Sequence, residues 1–271
     1  LLLLMLPLAA CTDTAEPTVT EYPVPTGIFS GPPAVQPLRD SAVALVTDFG
    51  NCDEGEQEVA DLVNAWQPDA IVTAGDNTQS VEGCEPYAES VYAYYGAWLN
   101  RANGPQFFPV LGNHDYTNEG AGLDAYVRAF PYLSAADDAQ RRWYERRIGD
   151  IHFFMLDSEV DDDDRGRQQE WLRSALATAA TSTDGAAWRV VVFHRPPFSS
   201  GVHGPEPRMQ PEAGWDYSGW GADLVISGHQ HIYEDVIVDG LHYLTAGVGA
   251  SGIVRSCPES SGRTEGSRAC L

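Results

Sequence analysis

Five short apolar segments constrain the fold of this chain more than any other feature, because each is followed at once by polar or glycine-rich residues. The segments are 42–47, 70–74, 107–111, 188–193 and 223–227. Runs of this length, rich in β-branched and aromatic residues and bounded by turn residues, are typical of buried strands. We therefore predict five strands whose C-terminal ends carry polar side chains, and such ends are where open α/β sheets form their binding sites.

Two segments between these strands predict helices. Residues 56–66 and 168–179 repeat apolar side chains along one helical face. Residues 143–148 and 151–156, joined through a Gly-Asp pair, predict a β-hairpin. The alternation of strands and helices, together with the hairpin, predicts a layered α/β domain that contains a mixed sheet.

The charge balance restricts the partners of this chain. Its 271 residues suit one large domain, and they include 39 acidic against 16 basic side chains, a net charge of −23. A surface this negative repels nucleic acid and anionic lipid, so we expect neither as a primary partner. An anionic substrate must then be attracted locally, which bound metal cations can do.

The N-terminal residues indicate export. The first ten residues are almost entirely apolar, whereas a membrane-spanning helix needs about 20. They have the character of the end of a signal peptide, and Leu8-Ala9-Ala10-Cys11 resembles the bacterial lipobox, where the signal is cut before a lipidated cysteine. The alternative is an ordinary cleavage site with an incidental cysteine. We expect an exported bacterial cell-envelope lipoprotein whose contact with the membrane is the lipid anchor on Cys11 only.

We expect four regions along the chain. In order they are a partial signal peptide, a Pro/Thr-rich tether, the folded domain and a polar tail that can mark a truncated domain end: 1–11, 12–40, 41–252 and 253–271. Export places the other four cysteines in an oxidising compartment. The economical pairing is Cys52 with Cys84 and Cys257 with Cys270, although four cysteines allow three connectivities.

Six polar residues at or just beyond the predicted strand ends form a candidate metal site. They are Asp48, Asp76, Asn113, His194, His229 and His231. Each alone has an ordinary explanation as a turn, cap or structural residue. Together they offer carboxylate, amide oxygen and imidazole, a set that suits Zn, Fe or Mn better than Ca. Two cations roughly 3.5–4 Å apart neutralise a phosphate ester and convert a bound water to hydroxide, and Asp76 is the natural carboxylate to bridge them.

These residues lie in blocks that resemble a known family. Asp48-Phe49-Gly50, Gly75-Asp76-Asn77, Gly112-Asn113-His114-Asp115, His194 and Gly228-His229-Gln230-His231 follow the order of the calcineurin-like metallophosphoesterase superfamily. The resemblance covers about residues 42–250 and is closest to the purple and tartrate-resistant acid phosphatases, which carry Asp-x-Gly in the first block. It implies a four-layer αββα sandwich of two mixed β-sheets flanked by helices.

The resemblance also implies roles for individual residues. One metal would be held by Asp48, Asp76 and His231, and another by Asp76, Asn113, His194 and His229. His114 would lie over the substrate phosphate and stabilise charge or protonate the leaving alkoxide. Asp115 would orient His114, or is a plain loop carboxylate. His203 resembles a second active-site histidine, or is an exposed loop residue, and Arg195 would contact phosphate or form a surface salt bridge.

The chain departs from the family pattern at the first metal. Purple acid phosphatases have a tyrosine three residues after the bridging aspartate, where this chain has Gln79, and most of the superfamily has a histidine where this chain has Gly50. The first site is therefore one protein ligand short, and water, Thr78, Gln79 or Tyr87 can fill the gap. This departure argues against an Fe(III)–tyrosinate centre and for two divalent or mixed-valence ions drawn from Fe, Zn and Mn.

The resulting functional prediction is a metal-dependent phosphoesterase. The leading hypothesis is an acid-phosphatase-like phosphomonoesterase that acts on small-molecule phosphate esters. Its alternatives are a phosphodiesterase or nucleotidase of the same superfamily, and a surface lipoprotein that binds a ligand without turnover. The leaving group, the identity of the metals and the oligomeric state stay open at this stage.

Overall fold

The computed structural model describes residues 41–79, 81–117, 122–133, 142–182 and 186–249. The expected signal segment, the tether and the C-terminal tail lie outside these residues, and so do Cys11, Cys257 and Cys270. Within the described ranges, no helix combines the length and the apolar character needed to cross a membrane.

The first sheet is short and parallel. Its strands are β1 (Val43–Val46), β2 (Ala70–Thr73) and β3 (Phe107–Phe108), which pair in that order. Val46 lies opposite Thr73 in the register, so β1 and β2 end side by side. Their C-terminal loops therefore leave the sheet at one edge, as predicted from the apolar runs.

Helices connect these strands and cover one face of the sheet. Helix α1 (Glu54–Trp66) joins β1 to β2 and begins where the Asp53 side chain accepts the Glu56 N–H. A π-helical turn, Ala88–Tyr92, runs into α2 (Ala93–Leu99). Two further short helices, α3 (Asn113–Thr117) and α4 (Gly122–Ala129), follow β3.

The second sheet has six strands and mixed pairing. Its elements in chain order are β4 (Tyr144–Ile148), β5 (Ile151–Met155), α5 (Asp162–Thr181), β6 (Trp188–Val192), α6 (Tyr217–Trp220), β7 (Leu224–Ser227), β8 (Tyr233–Val238) and β9 (Leu241–Ala246). The spatial order is β4-β5-β6-β7-β9-β8. The outer pairs are antiparallel hairpins, the first of which is the predicted one, and the inner strands are parallel.

The burial of alternate residues on β5 shows how the layers stack. Phe153 and Met155 belong to a core that also contains Ile71 of the first sheet. Phe154 points to the opposite face, into a second core with Leu172 of α5. The order of layers is therefore helices, three-stranded sheet, six-stranded sheet and helix, which confirms the expected αββα sandwich. The mixed pairing lies in the larger sheet, while the described strands of the smaller one are parallel because helical crossovers connect them.

One predicted disulfide is present. Cys52 and Cys84 are bonded, which links the loop after β1 to the segment after β2. The predicted partner pair, Cys257 and Cys270, falls outside the described residues.

Candidate metal centre

The candidate ligands sit on loops with an unusual backbone conformation. Asp48, Asp76, His229 and His231 have φ angles of 55°, 52°, 72° and 50°, in the left-handed region that residues with a Cβ seldom occupy. Asp48 and Asp76 follow β1 and β2 of the first sheet, and the two histidines follow β7 of the second. These tight turns direct all four side chains toward the region where the loops of the two sheets meet.

Two glycines allow the loops of the two sheets to approach each other. A Cβ on Gly228 would lie 2.2 Å from Thr47 Oγ1 and 2.4 Å from Asp48 Oδ2. A Cβ on Gly112 would lie 2.2 Å from Asp76 Oδ1. Any side chain at either position would therefore displace a carboxylate of the candidate site.

Three ligand atoms converge on one side of the site. One atom each from Asp76, His194 and His229 lies within 4.8 Å of the other two. His194 Nε2 is 3.3 Å from Asp76 Oδ2 and 3.1 Å from the side-chain oxygen of Asn113. The sequence prediction that these four residues form one ligand group is consistent with this geometry.

The orientation of His194 is fixed by the backbone. Its Nδ1 lies 2.9 Å from the carbonyl oxygen of Ala74, so the ring donates its N–H there and its Nε2 faces the carboxylate and amide oxygens. A hydrogen bond from the distal ring nitrogen to a carbonyl is the usual way in which proteins set the tautomer of a metal-ligating histidine. The donor set and its buried setting therefore fit a transition-metal cation.

The other side of the site is more open. Asp48 is buried, accepts the Thr47 hydroxyl at 2.7 Å and accepts the His229 N–H at 2.9 and 3.0 Å. His231 Nε2 is 3.5 Å from Asp48 Oδ1. Among the described residues, the close group of three ligand atoms includes neither Asp48 nor His231. Asp48 and His231 therefore lie outside the close group, and the expectation that their metal site is one protein ligand short stays a prediction.

The structure restricts which side chain can supply the missing protein ligand of the first metal site. A Cβ on Gly50 would lie 2.6 Å from Thr78 Cα, so the present backbone has no room for a histidine there. The Tyr87 hydroxyl donates to Asp115 Oδ1 at 3.2 Å and is directed to that carboxylate. Gln79 is buried, and its side-chain nitrogen has no hydrogen-bond partner among the described residues. Its amide is therefore a buried polar group with unused hydrogen-bonding capacity.

Burial and mutual charge set the protonation of the ligands. Burial alone would raise the pKa of Asp76, but the neighbouring His194 and His114 imidazoles lower it to about 2. Burial lowers the pKa of His229 to about 2, with further lowering from His194 and Arg195. Burial alone would lower the pKa of His194, but the Asp76 carboxylate raises it to about 10. At neutral pH Asp76 is therefore ionised, His229 is neutral and His194 carries a proton that a bound cation would have to displace.

His114 lies at the exposed side of the candidate site. Its backbone N–H donates to Asp76 Oδ1 at 2.9 Å, and its Nε2 is 4.0 Å from Asp76 Oδ2. The side chain is 41% exposed. The ring is consequently held next to the candidate bridging carboxylate while remaining accessible to a molecule that arrives from solvent.

The expected orienting role of Asp115 is not supported. Its carboxylate accepts N–H groups from Gly112 at 2.7 Å and from the Asn77 side chain at 3.0 Å, in addition to the Tyr87 hydroxyl. His114 Nδ1 has no hydrogen-bond partner among the described residues. Burial is the main reason that the pKa of Asp115 rises to about 7. Asp115 is a buried anchor between the second and third sequence blocks, because those loops supply its donors.

His203 is brought to the site by its loop. Its ring centroid lies 4.9 Å from that of His229 and 6.3 Å from that of His231. The residue is exposed. Its exposed position and its closeness to the candidate ligands thus combine features of both alternatives that the sequence left open.

Arg195 forms a salt bridge, one of the two alternatives weighed for it, and also contacts a candidate ligand. Its Nε donates to Glu159 Oε1 at 2.7 Å, and its NH1 lies 2.9 Å from His229 Nε2. The salt bridge fixes the guanidinium beside the candidate ligands. The sequence did not show the Glu159 contact, since the two residues lie on different loops.

The comparison with known proteins agrees with the sequence blocks. The family model described as calcineurin-like phosphoesterase matches residues 8–233. The chain belongs to the calcineurin-like phosphoesterase family. Among curated relatives, this phosphoesterase-family chain is 32% identical over 217 residues to purple acid phosphatase 15 of Arabidopsis thaliana, covering 71% of this chain and 40% of that protein. It therefore spans less than half the length of that relative.

Solved structures support the fold of this family member. A purple acid phosphatase from yellow lupin seeds superposes with a TM-score of 0.65 at 17% identity, covering 86% of this chain and 48% of that one. GAP50, the anchor in the inner membrane complex of Plasmodium, gives 0.59 at 19% identity, with 85% and 78% covered. At these identities the likeness shows the shared fold of the calcineurin-like phosphoesterases and nothing finer.

Proposed function

We propose that this protein is a metal-dependent phosphomonoesterase of acid-phosphatase type. The observation that carries the proposal is the convergence of Asp76, His194 and His229 within 4.8 Å, with Asn113 beside His194. The neighbouring pair of Asp48 and His231 supports a second cation that shares Asp76. When bound, such a pair of cations neutralises phosphate charge and activates a water.

The chain's own residues would perform the remaining steps. The His114 imidazole would protonate the leaving oxygen, and its position beside the Asp76 carboxylate and its exposure to solvent support this role. His203 would contact the phosphate from the other loop. The guanidinium of Arg195, held in place by Glu159, would donate hydrogen bonds to the phosphate oxygens.

The test compares substrates and metals on purified protein. Wild type and Asn113→Ala are assayed with p-nitrophenyl phosphate and with bis-p-nitrophenyl phosphate after loading with Zn, Mn or Fe, and bound metal is measured in parallel. We expect wild type to prefer the monoester, and we expect the variant to lose metal together with about 10²-fold or more in kcat/KM.

Two other outcomes would overturn the proposal in different ways. A large preference for the diester would indicate a phosphodiesterase or a nucleotidase built on the same residues. Absence of activity and of bound metal in both proteins under all loading conditions would indicate a surface protein that binds its ligand without turnover.

We also propose that the chain is exported and anchored by lipid on Cys11. The lipobox-like sequence at residues 8–11 and the Cys52–Cys84 disulfide support this, because disulfides persist in oxidising compartments. Mass spectrometry of the protein from membranes tests it. Lipid-modified Cys11 is expected, and an intact, unmodified residue in the exported protein would contradict the anchor.

A further inference from the structure

His203 is an exposed residue of a loop, residues 199–204, here called the 199–204 segment, whose first two residues are buried. The imidazole lies next to those of His229 and His231. A side chain on an exposed loop needs a backbone anchor to keep a fixed place over a site. The contacts of the 199–204 segment therefore decide where His203 sits.

Gln230 supplies that anchor from between the two metal-ligand candidates. Its side chain is fully buried. Oε1 accepts the His203 N–H at 3.0 Å, and Nε2 donates to the carbonyl oxygen of Gly204. One amide thus binds two consecutive residues of the loop, and both its donor and its acceptor functions are used.

The surroundings of Gln230 are shaped to hold the amide in this position. A Cβ on Gly201 would lie 2.2 Å from Gln230 Oε1, so position 201 has no room for a side chain. At the other end of the segment, buried Glu234 of β8 accepts the Ser199 hydroxyl at 2.9 Å and the Ser200 hydroxyl at 2.6 Å. The 199–204 segment is therefore fixed at both ends by buried side chains of the following loop and strand.

We propose that Gln230 is a positioning residue that places His203 over the metal-ligand segment. The inference rests on the proposed function, in which His203 contacts the substrate phosphate. Because Gln230 lies between His229 and His231, the same short segment that carries two candidate ligands also sets the position of the substrate-facing imidazole. A displacement of about 1 Å in such a group can reduce a rate by about 10²-fold.

The experiment is a double-mutant cycle on the metal-loaded protein. Gln230→Met keeps the length of the side chain and removes both hydrogen bonds, and His203→Ala removes the imidazole. We expect each single variant to lose about 10–100-fold in kcat for p-nitrophenyl phosphate, the usual range for a supporting contact. The double variant should be no slower than His203→Ala, with bound metal equal to wild type in all three.

A second variant and a control keep the test decisive if Gln230→Met does not fold. Gly201→Ala should displace the Gln230 amide and reproduce its loss of kcat, because Gly201 lies outside the left-handed region and alanine suits its backbone. Gln169→Met is the matched control, since that glutamine also donates to a backbone carbonyl, that of Ala213 at 2.8 Å, but in a different loop. Its kcat and its bound metal should equal those of wild type.

Three results would overturn the inference while leaving the proposed function intact. The first is an unchanged kcat in both single variants, Gly201→Ala and Gln230→Met. The second is additive losses of kcat in the double variant of Gln230→Met and His203→Ala. The third is a loss of bound metal in Gln230→Met. Failure of the proposed function looks different, because wild type itself would then hydrolyse no ester.

Discussion

The backbone N–H of His229 donates to both carboxylate oxygens of Asp48, at 2.9 and 3.0 Å, across 181 residues of sequence. Asp48 comes from the first sheet and His229 follows a strand of the second. The bond joins the two halves of the candidate centre, because Asp48 belongs to the more open half and His229 to the closer group. Loss of this carboxylate should therefore affect both halves.

Three substitutions test this link. Asp48→Asn keeps an oxygen that can accept the His229 N–H, and we expect it to weaken the binding of only the cation next to His231. We expect the same result for His231→Ala. Asp48→Ala removes the acceptor, and we expect it to weaken the binding of both cations. The affinity for the cation next to His194 and His229 should fall by about 10–100-fold. Metal analysis after desalting gives the stoichiometry of each protein.

The matched control for these variants is Asp235→Ala. That carboxylate lies 3.0 Å from His242 on the surface and should leave the metal content unchanged. Equal metal loss in Asp48→Asn and Asp48→Ala would contradict the structural link between the halves.

Arg195 should contribute to substrate binding. Arg195→Ala removes a guanidinium that lies 2.9 Å from His229 Nε2, and a charge-assisted hydrogen bond to phosphate is worth roughly 1.5–3 kcal/mol. We expect kcat/KM for p-nitrophenyl phosphate to fall about 10–100-fold, mainly through KM. Arg173→Ala makes the same change in charge at an arginine paired with Glu170 on α5, and should have little effect. Equal losses in both variants would point to net charge alone.

Glu56 should make the folded protein less stable as the pH rises. Burial is the main reason that its pKa rises from 4.5 to about 7, and one of its oxygens has no hydrogen-bond partner among the described residues. Well below pH 4.5 the carboxyl is protonated in both states, so its titration does not change the stability. Between 4.5 and about 7 the unfolded chain releases a proton that the folded chain keeps, so stability falls with rising pH.

The Glu56→Gln variant isolates this effect. Its free energy of unfolding should equal that of wild type near pH 4 and exceed it by about 1–3 kcal/mol at pH 8. Urea unfolding of both proteins over this range measures the difference. A difference that is constant with pH would show that Glu56 titrates normally.

The Cys52–Cys84 disulfide should stabilise the fold. It spans 32 residues of sequence. A crosslink of that span lowers the conformational entropy of the unfolded chain and raises the free energy of unfolding by about 3–4 kcal/mol. The variant with both cysteines changed to serine should show that loss in urea unfolding, and wild type under reducing conditions should match it. An equal midpoint in oxidised wild type and in the variant would contradict the prediction.

Local patterns in the sequence were sufficient to predict a layered α/β domain and the strand ends that carry polar residues, whereas the four-layer αββα arrangement was implied by the family resemblance. Apolar runs that end in polar residues mark where parallel strands terminate, and parallel strands terminate at a common edge. The ends of individual elements were less predictable. The third strand covers only Phe107–Phe108 instead of residues 107–111, because Pro109 lacks an N–H for the ladder, and its carbonyl instead accepts the Tyr126 and Tyr144 hydroxyls.

Contacts between distant segments escaped prediction for a physical reason. Asn77 and Asp115 are 38 residues apart, and nothing in the local pattern of either block shows that one donates to the other. The anchoring of His203 by Gln230 likewise depends on how two loops of the larger sheet meet. Such pairs become visible only when the packing of both sheets fixes the distance between the loops.

The left-handed backbone at Asp48, Asp76, His229 and His231 sets ligand chemistry against local backbone stability. For residues with a Cβ this conformation costs about 1–2 kcal/mol, and glycine adopts it freely. Glycine at any of these four positions would relax the backbone but would remove the ligand. The candidate centre is therefore built on local strain that the packing of the two sheets has to offset.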